Sequence, residues 1–351
     1  MISSKKIVTM GQQFGFDLIG LIPAKPSADS KYLEEWLKRG YAGGMNWIRR
    51  VKKKRLNPLE IFPEAKSIVL IGINYYLQDL PDEIKNDPAR GIIARYAWVE
   101  DYHKLVLKKL REFTQELSGI LKQKVNYKAY VDTGPTLERE LARQAGLGFI
   151  GNNTNLINHQ LGSYLFLGEI FLDVDLRSYI PKIIGSCGTC QKCMNACPTG
   201  ALVDKKILDA RKCISYLTIE LKGEIPKELR PLIKNRIFGC DICQEVCPWN
   251  SKAKPTSFFK AVGENGHFRL REKEIAPPLL ELAGLSEAEF KERFKENSVL
   301  RAKYSGLMRN VAVALGNWGS KQALIGIEHL LNNSNPLVKS HAFWAKKQIL
   351  L

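Results

Sequence analysis

No stretch of about 18 consecutive apolar residues occurs in this 351-residue chain, so no segment reads as a helix that crosses a bilayer. The opening residues, MISSKKIVTMGQQ, lack the apolar core of a signal peptide, which predicts a cytosolic protein with no membrane partner. Acidic residues are scarce relative to basic ones: 36 Asp and Glu face 53 Lys and Arg, a formal charge of +17. That balance suggests a polyanionic partner, although a generally basic surface without one has the same composition. Cysteine is confined to one segment, all eight falling between residues 187 and 247. Disulfide frameworks usually spread through small secreted chains, whereas clustered thiols in a reducing compartment read as metal ligands.

The length predicts two or three domains. Strand-like runs at Leu18 to Ile22, Ser67 to Ile73, Tyr127 to Val131 and Tyr164 to Val174 alternate with helical patterns, the longest from Asp101 to Leu121. This predicts an α/β unit over residues 1–180. Pro181 and Gly185 mark a boundary, and the cysteine segment, 181–254, reads as a small inserted domain with SKAKP as the linker behind it. In the remainder, 255–351, LMRNVAVALG (307–316) aligns with LVKSHAFWAK (337–346) at a period of 30 residues, which predicts stacked HEAT-like helix pairs. The fold class expected is therefore α+β, with a ferredoxin-like segment between an α/β domain and a helical tail.

The first cysteine run, Cys187-x2-Cys190-x2-Cys193-x3-Cys197-Pro198, has the spacing that directs three thiolates at one [4Fe–4S] cubane and the fourth at its neighbour. Zinc would call for separated CxxC pairs and leaves the Cys-Pro step unexplained. The second run, Cys240-x2-Cys243-x3-Cys247-Pro248, is one ligand short, and Cys213 fills the vacancy. Crossed ligation then gives one cluster to Cys187, Cys190, Cys193 and Cys247, and the other to Cys197, Cys213, Cys240 and Cys243. A bare electron carrier needs only this segment, so the first 180 residues are expected to hold the site that consumes the electrons.

Within them, Tyr130-Val-Asp-Thr-Gly-Pro-Thr-Leu-Glu-Arg139 places Asp132 after a strand and before a helix, facing a cleft or merely fixing the turn. Gly146-x-Gly148-x-x-Gly151 matches a dinucleotide fingerprint in spacing but follows a helical pattern. Those glycines either admit a large flat ligand or serve a structural turn.

YVDTGPTLER, GLGFIGNNTNLI, CGTCQKCMNACPTGAL, Cys213-Ile-Ser-Tyr and FGCDICQEVCPWN, in that order, closely resemble the epoxyqueuosine reductases from about residue 10 onward. The resemblance implies a cobalamin-dependent enzyme that reduces epoxyqueuosine at the wobble position of tRNA to queuosine, the last step in making that nucleoside. It implies a corrinoid site in the N-terminal domain, with Asp132 as proton donor and Arg55, Arg95, Asn153, Ser215 and Asp241 in segments that line the cofactor. The histidine-on motif Asp-x-His-x-x-Gly begins at Asp101-Tyr-His103 but ends in Val106, so base-off cobalamin is expected and His103 reads as structural or superficial. General-acid help from Asp132 favours a raised pKa. Gly134 departs from the alanine common in the family, which suggests a less constrained Asp132.

Six of the seven residues from Arg49 to Arg55 are basic, and Lys222, Lys227 and Arg230 lie with Lys234 and Arg236 between Cys213 and Cys240. These groups are expected to hold tRNA phosphates, with Arg301, Lys303, Arg309 and Lys339 of the tail as further candidates. The expected assembly is a monomer that receives electrons from a separate low-potential donor. A reductive dehalogenase-like corrinoid enzyme would need no basic patches, and a non-enzymatic electron carrier would need no corrinoid.

Overall fold

The computed structural model describes residues 3–26, 30–256 and 271–350; residues 257–270, near the expected start of the helical tail, lie outside them. The strands that position the site are β1 (Leu18–Pro23), β2 (Ser67–Asn74), β3 (Ile92–Ile93), β4 (Tyr127–Tyr130), β5 (Leu165–Leu172) and β6 (Arg236–Phe238). The helices are α1 (Ser4–Gln13), α2 (Tyr102–Leu121), α3 (Glu138–Gln144), α4 (Ile214–Ile219), α5 (Lys303–Trp318), α6 (Leu324–Leu331) and α7 (Pro336–Leu350). Among the described residues no helix is long and apolar enough to cross a membrane.

Four strands form one sheet in the order β1-β2-β5-β4, with every neighbouring pair antiparallel. The alternation of strands and helices expected over residues 1–180 is present, and the connections return each strand of the sheet antiparallel to its neighbour, a direction that local pattern does not specify. β2 is buried along its whole length, as its continuous apolar run requires of a central strand. Its side chains alternate between two cores. Val69, Ile71 and Ile73 pack with Phe16, Leu110 and Phe113 beneath α1 and α2, while Ile68 and Leu70 pack with Leu141, Ala142 and Phe171 beneath α3. α2 begins where Asp101 caps it, its side chain accepting from the His103 N–H.

A third core joins all parts of the chain, since Ile93 and Trp98 pack with Ile237, Phe238 and the helical residues Leu307, Val311 and Ala342. β3 runs parallel to β6 beside it. The two repeat-related segments lie on α5 and α7, whose crossing is close enough that a Cβ on Gly316 would meet Ala345 Cα at 2.8 Å.

Arg309 on α5 is only 1% exposed and donates to the carbonyls of Leu217, Leu221 and Gly223, while Asn310 donates to those of Thr218 and Ile237. The bonds to Leu217 and Thr218 satisfy orphan carbonyls in the last turn of α4, and the others hold the loop behind it and β6. Arg309 is therefore corrected from an RNA candidate to a buried cap.

Candidate active site and cluster ligands

The eight cysteines separate into two groups. Cys197, Cys213, Cys240 and Cys243 line one cavity of about 220 Å³, with Asn153, Ser215 and Asp241. Cys247 packs with Cys187 beside Phe149, Ile157 and Trp249, and the charges of Cys187 and Cys247 act on Cys193. The charge of Cys190 acts on Cys247 as well, so the eight thiols fall into two groups of four with the membership that crossed ligation would use.

Burial, offset in part by Arg236, pushes the Cys240 thiol up to about 12, and burial with the neighbouring thiols raises Cys243 well above its ordinary value. Buried thiols such as Cys240 and Cys243 give up their protons to a bound cation, so the donor set fits an iron–sulfur cluster. Backbone N–H groups already point at sulfur, Asn152 to Cys187 at 3.3 Å and Ala201 to Cys197 at 3.4 Å; such bonds tune a cluster's potential.

A larger cavity of about 550 Å³ adjoins the second quartet through Tyr96, which lines both. Its walls are Trp47, Tyr75, Tyr102 and Phe166, and its polar groups are His103, Asp132, Glu138, Glu220 and Arg301. Asp132 has φ +58, a left-handed conformation that Asp tolerates better than most residues. Its backbone N–H donates to Glu138 at 2.9 Å. Its carboxylate accepts from the Tyr102 hydroxyl at 3.2 Å and faces His103 Nε2 at 3.4 Å, while His103 Nδ1 lies 2.6 Å from Asp101. The N-cap of α3 is Leu137, so Asp132 is turned to the cavity and does not cap that helix.

Burial pulls the His103 imidazole down, but Asp101 and Asp132 outweigh it and lift it to about 9. Burial likewise pushes Asp132 up, yet the hydrogen bond and charge of His103, with Tyr102 and Arg301, hold it below the ordinary carboxylate value. At neutral pH the pair is imidazolium and carboxylate. The expectation of a raised Asp132 pKa is thereby corrected, as is the reading of His103 as structural or superficial. His103 is the residue sequence reasoning missed; the Asp-x-His step at a helix start was its signal.

The remaining expected contacts divide. Asn153, Ser215 and Asp241 border the second quartet, and Asn153 donates to the Cys243 carbonyl at 3.3 Å. Arg95 is 4% exposed and engaged by Glu245 at 2.8 Å, Asp79 at 3.2 Å and Asp241 at 3.5 Å, between the rings of Trp98 and Tyr164. Arg95 and Asp241 are thus partners in a buried ion pair, and Asp241 also borders the second quartet's cavity. Arg55 lies behind the Asp132 loop, donating to the Thr136 carbonyl at 2.5 Å and stacking over Trp47.

A Cβ at Gly134 would meet Tyr130 Cβ at 2.7 Å, so this glycine allows close approach of the loop, where looseness was expected. Gly146 and Gly148 admit the backbone of Pro181 and Ile157, which favours the structural turn over a flat ligand.

Arg230, expected to contact RNA, is 1% exposed; it donates to the Ile225 carbonyl and stacks over Trp344. Lys222 and Lys227 are exposed. Lys222 lies within the electrostatic reach of Lys303 and of Arg301, which lines the cavity.

Cys213 reaches only the second quartet, so Cys213→Ala is expected to lower iron from about eight to about four atoms per chain with the other cluster intact. Iron and sulfide analysis of anaerobically reconstituted protein checks it; unchanged iron would make Cys213 a structural thiol.

A family model described as "4Fe-4S double cluster binding domain" matches residues 186–250, and one described as "Epoxyqueuosine reductase QueG, DUF1730" matches residues 55–133. The chain is 38% identical to the epoxyqueuosine reductase of Pseudomonas aeruginosa over 98% of its own length and 94% of the relative's. It is 38% identical to that of Escherichia coli over 98% and 89%. Among solved structures, the Streptococcus thermophilus epoxyqueuosine reductase superposes with a TM-score of 0.87 at 29% identity, covering 100% of this chain and 91% of that one. An epoxyqueuosine reductase solved with an epoxyqueuosine-modified tRNA-Tyr stem loop gives 0.85 at 31%, covering 98% and 89%. The Bacillus subtilis enzyme, solved with its aspartate catalytic loop swung out of the active site, gives 0.86 at 31%, covering 98% and 90%. With 38% identity sustained along nearly the whole chain, on the cysteine quartets and the Asp132 cavity already described, this protein belongs to the epoxyqueuosine reductase family.

Proposed function

We propose that this chain reduces epoxyqueuosine in the anticodon loop of tRNA to queuosine, with electrons passing through two [4Fe–4S] clusters to a base-off cobalamin. The observation that carries the reading is the ion-paired Asp132 and His103 facing a cavity that meets the second thiol quartet at Tyr96. Removing the epoxide oxygen consumes two electrons and two protons and releases water, so the site needs an electron path and a proton source together. When bound, the corrinoid supplies low-potential reduction of the epoxide carbon. Tyr96, Asn153 and Ser215 border the quartet's cavity and are the residues to hold it. His103 has both ring nitrogens engaged by carboxylates, which supports a cobalt without a histidine ligand.

Asp132 carries the proton from His103 to the departing oxygen, general-acid help worth about 10²–10⁴-fold. The division of labour is a catalytic domain over residues 1–180, a cluster domain over 181–254 and a HEAT-like helical tail over 255–351, acting as a cytosolic monomer fed by a low-potential donor.

The RNA reading rests on exposed cations whose charges act on one another, Lys222 and Lys303 with Arg301, the last of which lines the cavity, and on Lys227 farther along the loop from Lys222. Trp47, 39% exposed on the opposite wall, offers a face on which an unstacked base can lie. The relative solved with a modified stem loop supports the same class of substrate.

Two outcomes test this. With cobalamin, a low-potential reductant and tRNA bearing epoxyqueuosine, the protein is expected to yield a nucleoside lighter by one oxygen in mass spectrometry, and Asp132→Asn to yield none while keeping its clusters and cobalamin. Near-normal turnover by Asp132→Asn would return that residue to a turn-forming role. Replacing Lys222, Lys227 and Lys303 together with Ala is expected to weaken tRNA binding and flatten its log–log salt dependence by about 0.7–0.9 for each phosphate no longer neutralised. An unchanged slope would move the RNA to the Arg49–Arg55 face.

A further inference from the structure

The loop that carries Asp132 is held by Glu138, Glu169 and Arg55, of which only Arg55 was expected at the site, and there as a cofactor contact. Glu169 lies at the middle of β5, paired with Leu70 and Tyr130, on the face otherwise packed with Leu167 and Phe171. It is fully buried, and its Oε1 accepts from the Thr136 hydroxyl at 2.7 Å. Glu138 opens α3 and accepts the Asp132 N–H at 2.9 Å. Arg55 donates to the Thr136 carbonyl. The bonds from the backbone of Asp132 and from both ends of Thr136 therefore run to these three residues.

The hold is not fully satisfied. Glu169 Oε2 and Arg55 Nε are buried and make no hydrogen bond, and Asp132 sits at φ +58. Unpaired buried polar atoms and a left-handed non-glycine residue both cost stability in the state that contains them. A loop secured by three tethers yet carrying these costs is poised to leave as well as to stay. Strain of this kind persists where the surrounding structure over-determines it.

We infer that Glu138, with Glu169 and Arg55 behind it, is a latch that positions Asp132 against His103, holding the loop in for proton delivery and letting it out for exchange of substrate. This deepens the proposed reaction and rests on it for its purpose, though not for its geometry. Glu138 and Glu169 are positioning residues: they act on the Asp132 loop and not on substrate. Burial, with the charges of Glu169 and Asp132, raises Glu138 above an ordinary carboxyl, and burial lifts Glu169 to about 8, so the site works against ionisation of both. An amide is then a fair substitute.

The test uses the full, cluster-loaded chain with 13C-labelled histidine, of which there are five, His103 being assigned with a His103→Gln variant. In Glu138→Ala the loop is expected to leave, and His103, still facing Asp101 but no longer Asp132, to titrate about one pH unit lower than in the unmodified protein. Turnover is expected to fall at least about tenfold in kcat with little change in KM for tRNA. Glu138→Gln, which keeps an acceptor for the Asp132 N–H, is expected to restore both. Glu138→Ala with an unmoved His103 titration and unchanged kcat overturns the latch, as does Glu138→Gln behaving like Glu138→Ala. The titration is read without substrate or cobalamin. A shifted His103 in a protein that fails to reduce epoxyqueuosine would therefore sustain the latch and reject the proposed reaction.

Discussion

The crossing of the two cysteine runs, each of which sends one thiol into the other's group, ties the parts of the molecule together. Cys247 returns to the neighbourhood of Cys187, and Cys197 crosses to Cys213, Cys240 and Cys243, so the two runs are clasped to each other. The clasp is fastened to the N-terminal sheet domain by Asn152, which donates to both Cys187 and the Cys190 carbonyl, and by the buried Arg95–Asp241 pair. It is fastened to the helical tail by Arg309 and Asn310. Breaking one partner of a buried ion pair typically costs about 3–5 kcal/mol, so these links hold the quartet in register with the neighbouring cavity.

That register gives the Asp132 cavity its chemistry. A carboxylate alone at the mouth of an aromatic cavity would gain a proton as it was desolvated. Here the imidazolium of His103, itself held by Asp101, keeps Asp132 ionised and stores the proton one hydrogen bond away. Tyr102 completes the arrangement, its ring stacked between Phe166 at 3.8 Å and His103 at 4.1 Å and its hydroxyl on Asp132. Proton supply is thus built from three residues of one helix start and one loop.

Much of this was legible in the sequence, and what was not has identifiable causes. Cysteine spacing defined both quartets because ligation by a cubane fixes the geometry of short loops. The four strands and the Asp101-capped helix followed from apolar periodicity and a capping residue. Strand direction did not follow, since it depends on where connections return and not on local pattern. Charge read along the chain misplaced Arg230 and Arg309, because a cation that caps buried carbonyls looks in sequence like one that faces solvent. His103 was set aside for want of a glycine three residues on, whereas its role came from Asp132, 29 residues away, through the fold.

The central claim is that the proton used on the substrate oxygen is held by His103 in partnership with an ionised Asp132, and the pH dependence of single-turnover reduction tests it most directly. His103 has a folded-state pKa raised above its ordinary value of 6.5 to about 9, so its proton is fully in place below the former and lost as pH rises through the latter. The rate is predicted to hold through neutrality and to fall with an apparent pKa near 9, a limb that disappears in His103→Gln. A rate that has already fallen away through pH 5–6, as for an isolated carboxylic acid of raised pKa, would contradict the account.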